Sequence, residues 1–354
     1  EALGVSPYDA LLDQYEPGGR FARIEPIFQT IEAALPDLIE GALAAQTKRT
    51  LAPRPGGPFP IAIQEAVGRR FMQALGFDFS RGRLDVSRHP FCGGADDDVR
   101  ITTRYDEADF ASAMMGVLHE TGHALYELGR PAAWRGQPVG ESGGMTLHES
   151  QSLLIEMQVC RSPAFFRWAA PILREAFGGA AADPAWSADA LHRSALTVER
   201  SFIRVDADEV TYPAHVILRT KLEHALLSGS LPVDELPSVW SDGMADLVGV
   251  RPPDDRLGCL QDIHWFDGAF GYFPTYTLGA MAAAQLHAAA VAAIPDIPDA
   301  VESGDFSLLT GWMRRNIHEK GRLAGSDALL EAATGEMLTP QPFLNHLRTR
   351  YLDV

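Results

Sequence analysis

Cysteine is scarce in this sequence. Cys92, Cys160 and Cys259 stand far apart in a chain of 354 residues. That spacing excludes a disulfide framework and a Cys-x-x-Cys zinc site, and reduced thiols in a cytoplasmic protein are the expectation. No apolar run is long enough to span a bilayer, and no signal peptide is visible. Positive charge is also short. Lys and Arg number 30 against 47 Asp and Glu, for a formal net charge of −17. Phosphate backbones and anionic headgroups repel such a surface, so neither nucleic acid nor membrane is expected as a partner. Internal repeats and low-complexity linkers are missing too. The first residue is Glu1 rather than Met.

Apolar residues are plentiful at 46%, enough for a large core. The length allows two domains or one large helical unit, and no break is clean enough to mark a boundary. Most of the chain carries helical periodicity. Helices are expected over 7–14, 24–45 with a kink or split at Pro36, and 61–75 with a stop at Gly76. The breaker-rich stretch from Leu51 to Pro58 predicts a loop. Two alternating runs, 83–88 and 99–105, predict strands separated by turns over 90–98. They would make a small antiparallel sheet beside a groove. From Ser112 onward nearly everything predicts helix, including 188–204, 212–228, 233–248, 274–293, 306–320, 326–333 and 342–351.

The centre of the chain is Val117-Leu-His-Glu-Thr-Gly-His-Ala-Leu-Tyr126, which contains His-Glu-x-x-His. Helix residues four apart share a face, so His119 and His123 can aim two imidazoles at one metal ion. Glu120 then stands beside that ion, placed to take a proton from an attacking water and return it to a leaving amine. Asp106 and Ser112 are the candidates for a cap or a turn ahead of this helix, and Gly129 with Pro131 forms its stop. A catalytic zinc usually has three protein ligands and an open position. Glu149, in Leu147-His-Glu-Ser-Gln151, could be the third if a second helix packs on the first. A carboxylate at a helix start is also an ordinary partner for the helix dipole, so spacing leaves both possibilities open.

Five motifs, in order, carry a resemblance to a known family. They are Asp98-Val-Arg-Ile-Thr102, His119-Glu-Thr-Gly-His123, His148-Glu-Ser-Gln151, Ile203-Arg-Val-Asp-Ala-Asp-Glu209 and Gly258-Cys-Leu-Gln-Asp-Ile-His-Trp265. Together they resemble the carboxypeptidase Taq family of zinc metallocarboxypeptidases, from about Tyr8 to the C-terminus. The resemblance implies a mainly α-helical zincin whose residues 1–354 form a single catalytic unit. It implies His119, His123 and Glu149 as metal ligands and zinc as the metal, with cobalt able to serve. It further implies broad specificity for the released residue and a homodimer. Members of the family are longer, with N-terminal helices that roof the groove, so a truncated or processed form is expected.

Peptide hydrolysis makes two further demands. A neutral donor must help stabilise the oxyanion. By analogy with related zincins, His264 and Tyr272 are the first candidates and Tyr276 the next; the alternative is that these aromatics only pack helices. An exopeptidase also needs a cation for the free carboxylate, best supplied by the planar fork of Arg. Arg204 is the first choice and Arg100 the second. Arg204 could instead pair with Asp206, Asp208 or Glu209. His215 would line the cleft, and Asp208 and Glu209 would fix imidazole tautomers. The expected function is metal-dependent release of C-terminal residues from peptides. The alternatives are an oligopeptidase or endopeptidase using the same site, and an inactive metal-binding scaffold.

Overall fold

The computed structural model describes residues 4–49 and 52–352. Leu51, the first residue of the expected loop, lies outside them. The chain runs through α1 (Pro7–Leu12), α2 (Phe21–Thr47) and α3 (Ile61–Leu75), then β1 (Gly82–Val86), β2 (Phe91–Ala95) and β3 (Asp98–Thr103). Helices follow: α4 (Phe110–Gly129), α5 (Met145–Leu153), α6 (Pro163–Ala176), α7 (Ala188–Ala195), α8 (Tyr212–Ser228) and α9 (Leu236–Leu247). The series closes with α10 (Pro274–Ala293), α11 (Ile297–Ser303), α12 (Ser307–Asn316), α13 (Ser326–Thr334) and α14 (Gln341–Tyr351).

Local chemistry explains most boundaries. Gly76, with φ of 95°, ends α3 in the left-handed region that only glycine enters cheaply. Pro36 neither splits nor ends α2, contrary to expectation. The helix runs through Pro26 and Pro36 because Ile24, Phe28, Ile31, Leu35, Leu38, Ile39 and Ala42 bury one continuous stripe. Burial of that stripe outweighs a cost of about 3 kcal/mol per interior proline. The helix expected over 188–204 stops at Ala195. Beyond it, both backbone groups of Val198 bond the side chain of Gln46 at 2.8 and 3.1 Å, which takes them out of any helical ladder.

The sheet is mixed, not antiparallel. Its order is β1-β3-β2, with β1 parallel and β2 antiparallel to β3. The segment expected to be turns contains β2, whose Phe-Cys-Gly-Gly-Ala sequence resembles a turn. It pairs with β3 across a tight connection and so takes the antiparallel partnership that β1 was expected to hold.

Three apolar clusters build the interior. One joins α3, α4, α5, α6 and α10, and another joins α2, α8, α10 and α14. The third seals the sheet onto α3 and α4 through Met72, Leu84, Ile101 and Val117. α10 serves two of them, giving Ala282, Ala283 and Leu286 to the first and Leu278, Met281 and Ala284 to the second. No single helix among the described residues is long and apolar enough to cross a membrane. A cleft opens where α4, α5, α8 and α10 converge.

Candidate metal centre and cleft

Asp109, neither Asp106 nor Ser112, caps α4: its carboxylate accepts from the Ala111 and Ser112 amides. Asp106 shapes the preceding turn by accepting from the Ala108 amide. Four residues apart on α4, His119 and His123 face α5. The two helices approach closely at Gly122, where a Cβ would stand 2.5 Å from the Gln151 carbonyl oxygen. α10 closes from the other side at Gly279, where a Cβ would stand 2.7 Å from the Cβ of Glu149. Two missing side chains thus let Glu149 be pressed between α10 and the histidines.

The resulting geometry suits a cation. Glu149 Oε1 lies 3.7 Å from His119 Nε2, and Oε2 lies 3.4 Å from His123 Nε2. The ligand atoms of all three residues fall within 4.8 Å of one another. Two atoms each about 2 Å from a tetrahedral zinc stand roughly 3.3–3.5 Å apart, so these separations match donors sharing an ion. The opposite ring nitrogens are occupied. His119 Nδ1 is 3.0 Å from Glu156 Oε2, and the other oxygen of Glu156 accepts from Arg161 at 2.9 Å. His123 Nδ1 is 3.1 Å from the His148 carbonyl oxygen. The His148 ring stacks on His123 at 4.6 Å and is itself held by Glu127 at 2.9 Å. With acceptors at both Nδ1 atoms, this hydrogen-bond network assigns a proton there and leaves Nε2 as the ring nitrogen that each histidine turns toward Glu149.

Burial works against a charge on His119, yet Glu149, Glu156 and Glu120 around it raise its pKa to about 10. His123, dominated by burial, falls to about 4. Burial also opposes charge on Glu149, but His119 and His123 hold it below the usual carboxylate range. Burial pushes Glu120 up to about 7, against the pull of His119, which poises it for proton transfer near neutral pH. Two imidazole nitrogens and one carboxylate fit a divalent ion, which would take the place of the His119 proton, and leave a coordination position toward the cleft.

That cleft has a volume of about 600 Å³. Phe91 and Cys92 of β2 and the N-terminal half of α4 form one wall; Arg204, Tyr212, Tyr272 and Tyr276 form part of the other. Arg204 is buried, and its partner is Asp262, 2.8 Å from Nε, rather than Asp206, Asp208 or Glu209. Nη1 donates to the Tyr212 hydroxyl at 2.7 Å, and Nη2 has no partner among the described residues. The guanidinium lies over the Tyr276 ring at 5.1 Å. Arg219 grips the other oxygen of Asp262 at 2.6 Å. Burial works to raise the Asp262 pKa, but the two arginines hold it below the usual range.

The sequence-expected residues are not all gathered here. Tyr272 lines the cleft, and its hydroxyl has no partner among the described residues. Burial raises its pKa, as it does that of Tyr276, so both stay protonated donors at neutral pH. Tyr276 also lines the cleft, with its hydroxyl 3.0 Å from His264 Nε2. His264 is not among the lining residues. Burial drops its pKa to about 4, so the ring is neutral and reaches the cleft only through Tyr276. Arg100 is half-exposed on β3, paired with Asp98 at 2.6 Å, and does not line the cleft. His215 is fully buried and does not line the cleft either. Asp208 caps the start of α8 through Val210 and Thr211, while Glu209 bonds His346, Arg350 and Tyr351. Neither touches a ligand histidine.

Glu156 takes the role expected of those two acids. A signal for it was available, because it lies seven residues after Glu149 and therefore near the same helix face. Asp262 stood inside a motif already in view, and its contact with Arg204 depends on folding across 58 residues.

Comparison with known proteins agrees with this geometry. The family model described as carboxypeptidase Taq (M32) metallopeptidase matches residues 1–351. Thermostable carboxypeptidase 1 of Thermus thermophilus is 40% identical over 345 residues, covering 97% of this chain and 67% of that protein. Carboxypeptidase 1 of Bacillus subtilis is 37% identical over 349 residues, covering 98% and 69%. Among solved structures, Trypanosoma cruzi metallocarboxypeptidase 1 superposes with a TM-score of 0.95 at 42% identity, over 99% of this chain and 73% of that one. The M32 carboxypeptidase from Deinococcus radiodurans superposes with a TM-score of 0.92 at 39% identity, over 98% and 70%. With a ligand triad of the expected composition and a family match along nearly its whole length, this chain belongs to the carboxypeptidase Taq (M32) family of metallopeptidases.

Proposed function

We propose that this metal-dependent carboxypeptidase holds zinc through His119, His123 and Glu149, and anchors the substrate's terminal carboxylate on Arg204. Cobalt suits the same donor set. A divalent ion bound there supplies a Lewis acid that polarises the scissile carbonyl and eases deprotonation of water beside it. Glu120 takes the proton of the attacking water as the C–O bond forms, then passes it to the amine nitrogen, which leaves as the peptide C–N bond breaks. Tyr272 donates to the developing oxyanion. Tyr276, backed by His264, lies across the Arg204 guanidinium and helps to orient it. Broad specificity and a homodimer belong to the same proposal and rest on the family resemblance, while a cytoplasmic location rests on the three scattered cysteines and a single catalytic unit on the lack of a clean break in the chain.

The observation that carries the anchor is the buried Arg204, which lines the cleft while bonded through Nε to Asp262 and through Nη1 to Tyr212. A carboxylate entering a protein of net charge −17 is repelled at long range and needs a directed local cation. Arg204→Ala should cut kcat/KM sharply for free-acid peptides and barely change cleavage of amidated ones. Arg204→Lys should already be damaging, because it keeps the charge but loses the fork. The ratio of free-acid to amidated turnover, followed by mass spectrometry, tests this. A ratio unchanged in Arg204→Ala removes Arg204 from the anchor role.

A further inference from the structure

The helix that carries Glu149, α5, does not continue as an α-helix. Residues Leu154–Val159 are π-helical, and the Cys160 amide bonds back to the Ile155 carbonyl. Such turns are rare and concentrate at functional sites. This one carries Glu156. The wider turn moves Glu156 around the helix axis from where an unbroken α-helix would put it, and there it meets His119 Nδ1 at 3.0 Å. It is also held from outside. Arg161, five residues on, donates Nη2 to the second Glu156 oxygen at 2.9 Å and Nη1 to the Ala195 carbonyl at 2.7 Å. Arg350 of α14 donates to the Met157 and Gln158 carbonyls, two of the acceptors that a helix end leaves unpaired.

We propose that Glu156, fixed by Arg161 on this π-helical turn, is a positioning residue that sets the metal affinity of the site through His119. This rests on His119 being a metal ligand. The physical reason is specific to this imidazole. His123 has a backbone carbonyl at Nδ1, which is a neutral acceptor. His119 has a carboxylate, which fixes the tautomer, makes Nε2 more basic and holds the ring plane. The two oxygens of Glu156 serve two different donors, His119 and Arg161. Replacing Glu156 by Gln leaves an acceptor for only one of them, and replacing it by Ala leaves none.

The test is zinc affinity of the metal-free protein, measured against a chromophoric chelator at pH 7 with zinc as the only probe. Circular dichroism confirms the fold of each variant. Glu156→Ala should bind zinc 10–100-fold more weakly, the usual scale for losing such a contact, and Glu156→Gln should fall between it and wild type. Glu223→Gln is the control, because Glu223 is a buried, hydrogen-bonded carboxylate on α8 that touches no ligand. It should bind zinc as wild type does. If Glu156→Ala does not fold, Glu156→Gln decides the matter. Wild-type affinity in folded Glu156→Gln overturns the proposal, and so does an equal loss in Glu223→Gln, since that would mark a general structural effect. His119→Ala separates the two levels. If it binds zinc normally, the ligand assignment itself fails; if it loses zinc while the Glu156 variants do not, only the positioning role fails.

Discussion

At the scale of single residues, the proposed metal centre assigns holding the ion and using it to different carboxylates. Glu149 faces both Nε2 atoms, whereas Glu120 stands at the cleft with its pKa near 7. Glu149→Ala should therefore lose metal and activity together, while Glu120→Gln should keep metal and lose activity. Metal analysis of the two purified variants checks this, and full metal content in Glu149→Ala would contradict the ligand set. The two tyrosines differ as well. The Tyr272 hydroxyl has no protein partner among the described residues, and that of Tyr276 is engaged by His264. Tyr272→Phe should lower kcat by on the order of 100-fold with little change in KM, because its hydroxyl acts mainly on the transition state. A near-normal Tyr272→Phe beside a crippled Tyr276→Phe would move the donor role one helical turn along α10.

At the scale of elements, the site depends on how closely three helices approach. α5 is clamped between α4 at Gly122 and α10 at Gly279, and the Gly279 contact falls on the side chain of a metal ligand. Gly279→Ala would put a methyl 2.7 Å from the Glu149 Cβ. Crowding of that kind costs about 1–3 kcal/mol. Thermal unfolding of the metal-free protein should show that loss, and zinc titration should show weakened binding as Glu149 is displaced. Unchanged values in both measurements would mean that α10 relaxes freely and does not press the ligand into place. The elements also show where sequence patterning succeeds. α3, α8 and α10 match their expected spans because a helical stripe and a clear stop coincide. β2 was missed because its two glycines look like a turn, and what makes them a strand is the neighbouring β3.

At the scale of the whole molecule, the cleft wall opposite His119, His123 and Glu149 is tied to the N-terminal helix through the carboxylate of Glu223. Glu223 on α8 accepts from Trp265 Nε1 at 2.8 Å, from the Gly271 amide at 3.0 Å and from the Tyr8 hydroxyl at 3.3 Å. Burial raises its pKa to about 7 from an ordinary 4.5, against those hydrogen bonds. The folded state therefore holds this proton more tightly than the unfolded chain. Its stabilising effect is complete below about pH 4.5 and is lost as pH rises through about 7. Across that window wild type should lose on the order of 3 kcal/mol relative to Glu223→Gln, which does not titrate. Urea unfolding of both proteins from pH 4.5 to 7.5 measures the difference, and parallel stability curves would show that Glu223 does not carry it.

The sequence by itself determined the helical class and the juxtaposition of His119, Glu120 and His123 on one helix. Each depends on local spacing: residues four apart share a helix face wherever that helix packs. It also supplied the family's motifs, and with them Glu149 and Arg204. Tertiary structure alone decided the rest. That Glu149 reaches the histidines depends on side chains absent at Gly122 and Gly279. That Asp262, not a nearer acid, pairs with Arg204 depends on a contact across 58 residues, and that Arg100 is spent on Asp98 at the surface depends on which face of β3 turns outward. Glu156 lies seven residues after Glu149, but its meeting with His119 is made by a π-helical turn that this spacing does not reveal. Periodicity identifies the side chains that share a face. Helix packing decides what that face meets.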